Sequence, residues 1–166
     1  MVKQVEFEME DKLADAGLDV RVSMPEEKVI VPLDSQKTFR IFENLFGNIA
    51  KYALPGTRVY VSGFTAKDEV TIILKNITAQ ELSVSGEELT ERFVRGDASR
   101  NTEGSGLGLA IAKSFTEIQG GKFRIELDGD LFKVVLIWKV KPESGNYDNS
   151  GDKVTTGDKE KQPLQS

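Results

Sequence analysis

The stretch ENLFGNIAKYALPGTRVYV, residues 43–61, reads as the closing turns of a helix, a Pro55-Gly56 turn and the start of a strand. At about 3.6 residues per turn, Phe42, Leu45, Phe46, Ile49 and Ala53 share one face, which must pack on an apolar layer. Asn44, Asn48 and Lys51 follow one another at spacings of four and three, with Tyr52 beside them, so they form a second stripe bordering that face. Two carboxamides, an ammonium and a phenol ring suit a ligand that carries both phosphate and a base. An amide oxygen can complete the octahedral shell of Mg²⁺, which takes few protein ligands and fills the rest with phosphate oxygens and water. The same stripe also fits a partly solvated helix face edged by one aromatic ring.

Working outward, KQVEFEMEDKLADA (3–16) predicts a helix stopped at Gly17, and LDVRVSM (18–24) and KVIVPL (28–33) predict two short neighbouring strands turning at Pro25. Asp34 or Ser35 is a good N-cap for the helix that runs to about Ala53. TRVYVSGF and EVTIILKN predict consecutive strands joined at AKD. EELTERFV (87–94) reads as a short helix, RGDASRNTEGSG (95–106) as a mobile polar segment, and about 106–119 as a helix ended by Gly120 and Gly121. KFRIELDGDLFKVVLIWKV is a strong hairpin turning near Gly129. Helices alternating with pairs of strands imply an α/β two-layer sandwich, a mixed and mainly antiparallel sheet with helices on one face. One domain is expected over residues 1–140, followed by a flexible polar tail over 141–166, which has almost no apolar residue.

Composition narrows the chemistry. A chain of 166 residues, 39% hydrophobic and 30% charged, can bury a proper core. Twenty-seven acidic against 22 basic residues give a net charge of −5, and the basic residues look scattered along the chain, so no nucleic-acid partner is expected. There is no cysteine, which removes disulfides and thiol nucleophiles, and no histidine, which removes the commonest general base. No apolar run approaches about eighteen residues and no cationic leader opens the chain, so neither a membrane span nor an export signal is expected here.

GSGLGLAIAK (104–113) sets three glycines just before a helix, where backbone N–H groups and the helix dipole favour an anion. A dinucleotide-binding fingerprint would need a strand before these glycines, and a phosphate-binding P-loop would need Gly-Lys-Ser/Thr; both are missing. Taken together and in order, ENLFGNIAKYA, LTERFVRGDASR and GSGLGLAIA resemble the N box, the F box with the start of the ATP lid, and the second glycine box of sensor histidine kinases. That superfamily is shared with gyrase and the mismatch-repair ATPases. The resemblance covers about residues 3–140 and implies the Bergerat-type ATP-binding fold, with ATP and Mg²⁺ as ligands.

Residue by residue, the resemblance implies catalytic roles for Asn44, Asn48 and Lys51, with Asn48 on Mg²⁺ and Lys51 on phosphate. Tyr52 and Asn76 would line the adenine pocket, Phe93 would anchor the lid, and Arg95 and Arg100 would lie near the phosphates. Gly104, Gly106, Leu107 and Gly108 would form the glycine segment that meets the triphosphate. It further implies transfer of the γ-phosphoryl group to a histidine on a separate dimerisation domain, a response regulator downstream, and a homodimeric, membrane-anchored parent with this part cytoplasmic. Two departures stand out. Where hydrolytic relatives carry a water-activating glutamate, this chain has Asn44, and a carboxamide is no base. Where the first glycine box has Asp-x-Gly-x-Gly, this chain has Asn76, Thr78 and Gln80. A neutral acceptor at 76 is worth less than a carboxylate by about 1 kcal/mol, and a freely rotating amide would accept guanine as well, so loose adenine binding and modest discrimination are expected. Alternative readings are a nucleotide-sensing or interaction module with impaired catalysis and an anti-sigma-factor-type serine kinase.

Overall fold

A computed structural model describes residues 1–82, 85–94 and 107–140. The chain opens with helices α1 (Val2–Glu8) and α2 (Glu10–Asp15), where one continuous helix is expected from sequence; Met9, at φ −105° and ψ 7°, breaks the geometry between them. Gly17, at φ +72°, ends the pair and leads into strand β1 (Asp19–Ser23). The second strand expected over 28–33 does not form. Its β-branched residues are used for packing instead: Val29, Val31 and Leu33 turn half-buried against the core, while Ile30 is exposed. Pro32 offers no N–H for a ladder, and β1 pairs in parallel with a later strand rather than with its neighbour in sequence.

Helix α3 (Ser35–Tyr52) starts where expected. The Asp34 carboxylate accepts from the Lys37 N–H at 2.8 Å, and the Asp34 N–H donates to Oε1 of Gln119 at 2.8 Å, which ties the start of α3 to a distant helix end. Strands β2 (Arg58–Ala66) and β3 (Glu69–Ile77) form the hairpin, turning at Lys67 and Asp68. Helices α4 (Gly86–Val94) and α5 (Gly108–Ile118) follow, then β4 (Lys122–Asp128) and β5 (Leu131–Lys139), whose turn places Gly129 at φ +57°. The five strands are ordered β1-β2-β3-β5-β4, with β1 and β2 parallel and every other pair antiparallel. This is the expected two-layer α/β sandwich.

Alternation along the strands sets the core. Val59, Val61, Val70, Leu74, Val134, Leu136 and Trp138 share the face that meets Ile41, Phe42, Leu45, Phe46 and Ile49 of α3, all of them buried. Asn76 occupies the next position on that same face, opposite Phe132, and is only 3% exposed. A polar side chain there has no place in packing. The opposite face carries exposed Tyr60 and Phe64, with Asp19 paired to Arg21 and Glu126 to Lys133, so the sheet gathers charges that look scattered in sequence. Among the described residues no helix is long and apolar enough to cross a membrane.

The N-cap gives a pH test. The Lys37 backbone N–H and then its ammonium hold the Asp34 carboxyl below its ordinary range. A group whose pKa falls on folding stabilises the fold above its unfolded value and gives that up as pH drops through the folded one. Asp34→Ala should therefore melt at a lower temperature than wild type at neutral pH, and the gap should close below the ordinary aspartate value of 3.8. Asp34→Asn should keep most of the cap without the pH dependence. Melting curves in which the alanine gap stays constant into acid would refute this account.

Candidate functional site

A cavity of about 260 Å³ lies where the C-terminal half of α3, the end of β3 and the start of α5 converge. Asn48, Lys51 and Tyr52 reach it from α3, Asn76 from β3, and Thr78, Ala79, Gln80 and Leu82 from the loop beyond. Leu89 of α4, Leu109 of α5 and Phe132 of β5 complete the wall. The grouping of Asn48, Lys51 and Tyr52 follows from helical geometry, since positions three and four apart stack on one side. The Lys51 ammonium stands 5.1 Å from the centre of the Tyr52 ring, a cation–π contact worth about 0.5–1 kcal/mol at a site this exposed. The cavity lining therefore combines a cation and amides with apolar side chains.

Asn44 does not line this cavity. Its Nδ2 donates to the Arg40 carbonyl at 2.7 Å, and its Oδ1 faces Gly108, where an added Cβ would stand only 3.2 Å away. The first residue of α5 thus sits directly on Asn44, and glycine allows that approach. Leu107 and Gly108 are placed at this helix start, beside the cavity rather than in its wall. Phe93 falls within α4 but its side chain, like Arg95, Arg100, Gly104 and Gly106 and the tail over 141–166, lies outside the described residues.

The segment that replaces the first glycine box is fastened down. The Ile77 carbonyl accepts from the Leu54 N–H at 2.8 Å, the Ala79 N–H donates to the Tyr52 carbonyl at 2.9 Å, and the Thr78 N–H donates to the Asp130 carbonyl at 2.9 Å. The Thr78 hydroxyl adds a bond to the Gln80 carbonyl at 2.7 Å. The Asn76 carboxamide also has a partner: its Nδ2 donates to the Ile77 carbonyl at 3.2 Å. Sequence reasoning missed the apolar wall of Leu82, Leu89, Leu109 and Phe132 altogether. Phe132 lies directly across from Asn76 in the β3–β5 register, a pairing that only the fold brings about.

This arrangement gathers amide, ammonium and apolar side chains at the flank of a helix packed on a sheet. Residues 33–155 match the family described as histidine kinase-, DNA gyrase B-, and HSP90-like ATPase, and the chain belongs to that family, whose members bind ATP and Mg²⁺. Relatives in sequence include the probable sensor protein PcoS of Escherichia coli, 35% identical over 135 residues, and the sensor protein VanSC of Enterococcus gallinarum, 32% identical over 130. The matches cover 78% and 76% of this chain but 28% and 35% of those proteins, so the chain spans about a third of their length. Among solved structures, the nucleotide-free catalytic domain of histidine kinase ThkA superposes with a TM-score of 0.73 at 21% identity, covering 86% of this chain and 91% of that one. ThkA has also been solved in complex with response regulator protein TrrA, with a TM-score of 0.68 at 19% identity, covering 86% of this chain and 40% of that one. At these identities the superpositions speak for the fold. With the family and the relatives, the chain is an ATP-binding catalytic domain of the sensor histidine kinase kind.

The cavity depends on α4 being held in place. The Ser85 hydroxyl accepts from the Glu88 N–H at 3.1 Å and caps the helix, while Gly86 lies so close to β4 that an added Cβ would collide with the Ile125 carbonyl. Backbone cannot step aside cheaply, so Gly86→Ala should cost about 1–3 kcal/mol in urea denaturation and, by shifting Leu89, weaken nucleotide binding as well. Unchanged stability in that variant would show that α4 does not need this contact.

Proposed function

We propose that this chain is the phosphoryl-donating module of a two-component sensor histidine kinase. It binds ATP with Mg²⁺ in the cavity and delivers the γ-phosphoryl group to a histidine on a separate dimerisation domain of its parent, for relay to a response regulator. Residues 1–140 form the catalytic domain and 141–166 a polar appendage. The observation that carries this reading is the convergence of Asn48, Lys51, Tyr52 and Asn76 on one cavity, in a chain with no histidine of its own.

The residues fit the ligands. Asn48 offers a hard, neutral oxygen of the type Mg²⁺ takes alongside phosphate and water, and Lys51 offers a compact cation for phosphate. Leu82, Leu89, Leu109 and Phe132 supply apolar walls for a base, with the Tyr52 ring beside them. When bound, the metal neutralises charge on the phosphate oxygens. Asn48 and Lys51 position those oxygens, and Asn44, seated under Gly108, positions the first turn of α5, whose N–H groups face anions. Arg95 and Arg100, with Gly104 and Gly106, are assigned to the phosphates by the resemblance. Catalysis in such a site is positioning and charge neutralisation. No carboxylate of the α3 stripe stands ready to deprotonate water, which favours transfer over hydrolysis.

Asn48→Ala should abolish most Mg²⁺-dependent affinity for ATP in calorimetry while leaving the melting temperature near wild type. Unchanged Mg·ATP affinity would sink the metal assignment. Incubated alone with labelled ATP, the chain should acquire no acid-labile phosphate and turn over slowly. Adding a histidine-bearing dimerisation domain from the same parent should produce such phosphate on the added protein, and brisk turnover without it would count against a donor module.

A further inference from the structure

The sheet has a second face, turned away from α3. Helices α1, α2 and α5 pack on α3, and α4 on α5, so the described helices gather on the core side and leave this face open. The strand registers show what it carries. One row runs Arg21, Tyr60, Lys75, Lys133 and Glu126 across the sheet. Lys75 and Lys133 stand directly opposite each other, and like charges so placed destabilise a sheet. Packing gives no reason for that pairing. Beside the row lie Ile73, Val135 and Ile137, with Phe64 on β2, and the Tyr60 and Phe64 side chains are each 46% exposed. Lys122 and Lys139 stand at the far end of this apolar patch, and Arg58 and Arg124 toward the edges. In all the face carries seven cations against the four carboxylates of Asp19, Glu69, Glu126 and Asp128, on a chain whose net charge is −5. Asp19 is taken up by Arg21 at 2.7 Å, and Glu126 by Lys133. Among the described residues Lys75, Lys122 and Lys139 have no carboxylate partner.

We propose that this face docks on an anionic lipid bilayer. Lys75, Lys122 and Lys139 meet the anionic headgroups, and the Tyr60 and Phe64 rings enter the headgroup boundary. This is a surface contact that needs no membrane-spanning helix, and it does not rest on the nucleotide reading above. A bilayer suits the face because cations, rings and aliphatic side chains are spread over its width. A polynucleotide would want rings at neighbouring positions for successive bases, whereas Tyr60 and Phe64 are four residues apart on one strand, about 13 Å. The chain's acidic surplus does not forbid the contact. Glu6, Glu8, Glu10, Asp11 and Asp15 belong to α1 and α2, in the helix layer roughly 10 Å or more behind the sheet, where salt at physiological ionic strength screens most of their repulsion. Docked in this way, the chain turns its α3 side, with the cavity, away from the bilayer.

Co-sedimentation with vesicles tests the proposal. At physiological ionic strength the chain should pellet with vesicles of equal parts phosphatidylserine and phosphatidylcholine and stay in solution with phosphatidylcholine alone, and about 1 M salt should release most of it. Lys75→Gln and Lys122→Gln should each weaken partitioning about fivefold, the contribution of one cation near such a surface, while Lys12→Gln on α2 should leave it unchanged. Phe64→Ser should weaken it as well without altering its salt dependence. Because Lys75→Gln removes the apposition to Lys133, that variant should melt no lower than wild type, which separates lost binding from lost folding. The same recovery of wild-type chain with both kinds of vesicle would overturn the inference. So would undiminished binding when Lys75 and Lys122 are both replaced, or a lower melting temperature for Lys75→Gln, which would make the apposed lysines a structural pair. An oligothymidylate held more tightly than the vesicles through the same two lysines would assign the face to nucleic acid and equally overturn the bilayer.

Discussion

The end of α3 and the end of β3 are laced together by backbone hydrogen bonds, and the geometry of the site hangs on that lacing. Leu54 donates to Ile77, Ala79 donates to Tyr52, and an isolated antiparallel bridge joins Ala53 to Thr78 between them. Each bond contributes only about 0.5–1.5 kcal/mol net, but a buried one left unmade would cost more, so the two ends cannot drift apart singly. Asn48 and Tyr52 arrive from one side of this seam and Asn76 from the other. A functional helix that rested on the sheet through Phe42, Leu45, Phe46 and Ile49 alone would be free to slide by part of a turn, since apolar packing is non-directional. The seam removes that freedom at the place where the ligand would be read.

The same seam shapes the segment at 78–80, where the pattern the sequence resembles has glycines. Glycine at positions 78 and 80 would let the backbone approach the base closely, at a cost in chain entropy. Here Thr78 instead turns its hydroxyl to the Gln80 carbonyl, and its own N–H to Asp130, so the loop is shaped by its side chain. At the other end of the stripe a glycine is kept at 108, where an added Cβ would press on the Asn44 Oδ1 at 3.2 Å.

Much of this was legible in the residues. The amphipathic run over 35–53, its Asp34 cap, the Gly120 stop and the two hairpins are local patterns with local causes, and they appear where the sequence puts them. The KVIVPL segment misled because strand propensity speaks for a pleated, half-buried environment and not for a pairing partner. Its alternation was real, and Val29, Val31 and Leu33 do face inward, but β1 had already taken its partner from beyond α3. The break at Met9 carries no Pro or Gly signal. In the site, Asn48, Lys51 and Tyr52 could be grouped by helical spacing, whereas Asn44, equally well spaced, was drawn off by a glycine some sixty residues along the chain. The hydrogen bond made by Asn76 could not be read at all, because it depends on a carbonyl whose direction is set by Leu54.

Carboxamides recur at Asn44, Asn48 and Asn76, and in each case a carboxylate would be the less suitable group for a reason of its own. At 44 a carboxylate could not donate to the Arg40 carbonyl as Nδ2 does. At 76 it could not donate to Ile77. At 48 it would bring a full negative charge into a cavity proposed to hold phosphate, where burial strengthens repulsion. An amide supplies a metal with an oxygen without adding that charge. The cost is chemical: none of these groups can take a proton. Under the proposed function, a site built in this way would orient a triphosphate and steady its charge, and would rely on the incoming acceptor to supply the nucleophile. For a chain without a single histidine, the proposed acceptor has to come from elsewhere, and the lack of a carboxylate in the α3 stripe fits that separation of donor from acceptor.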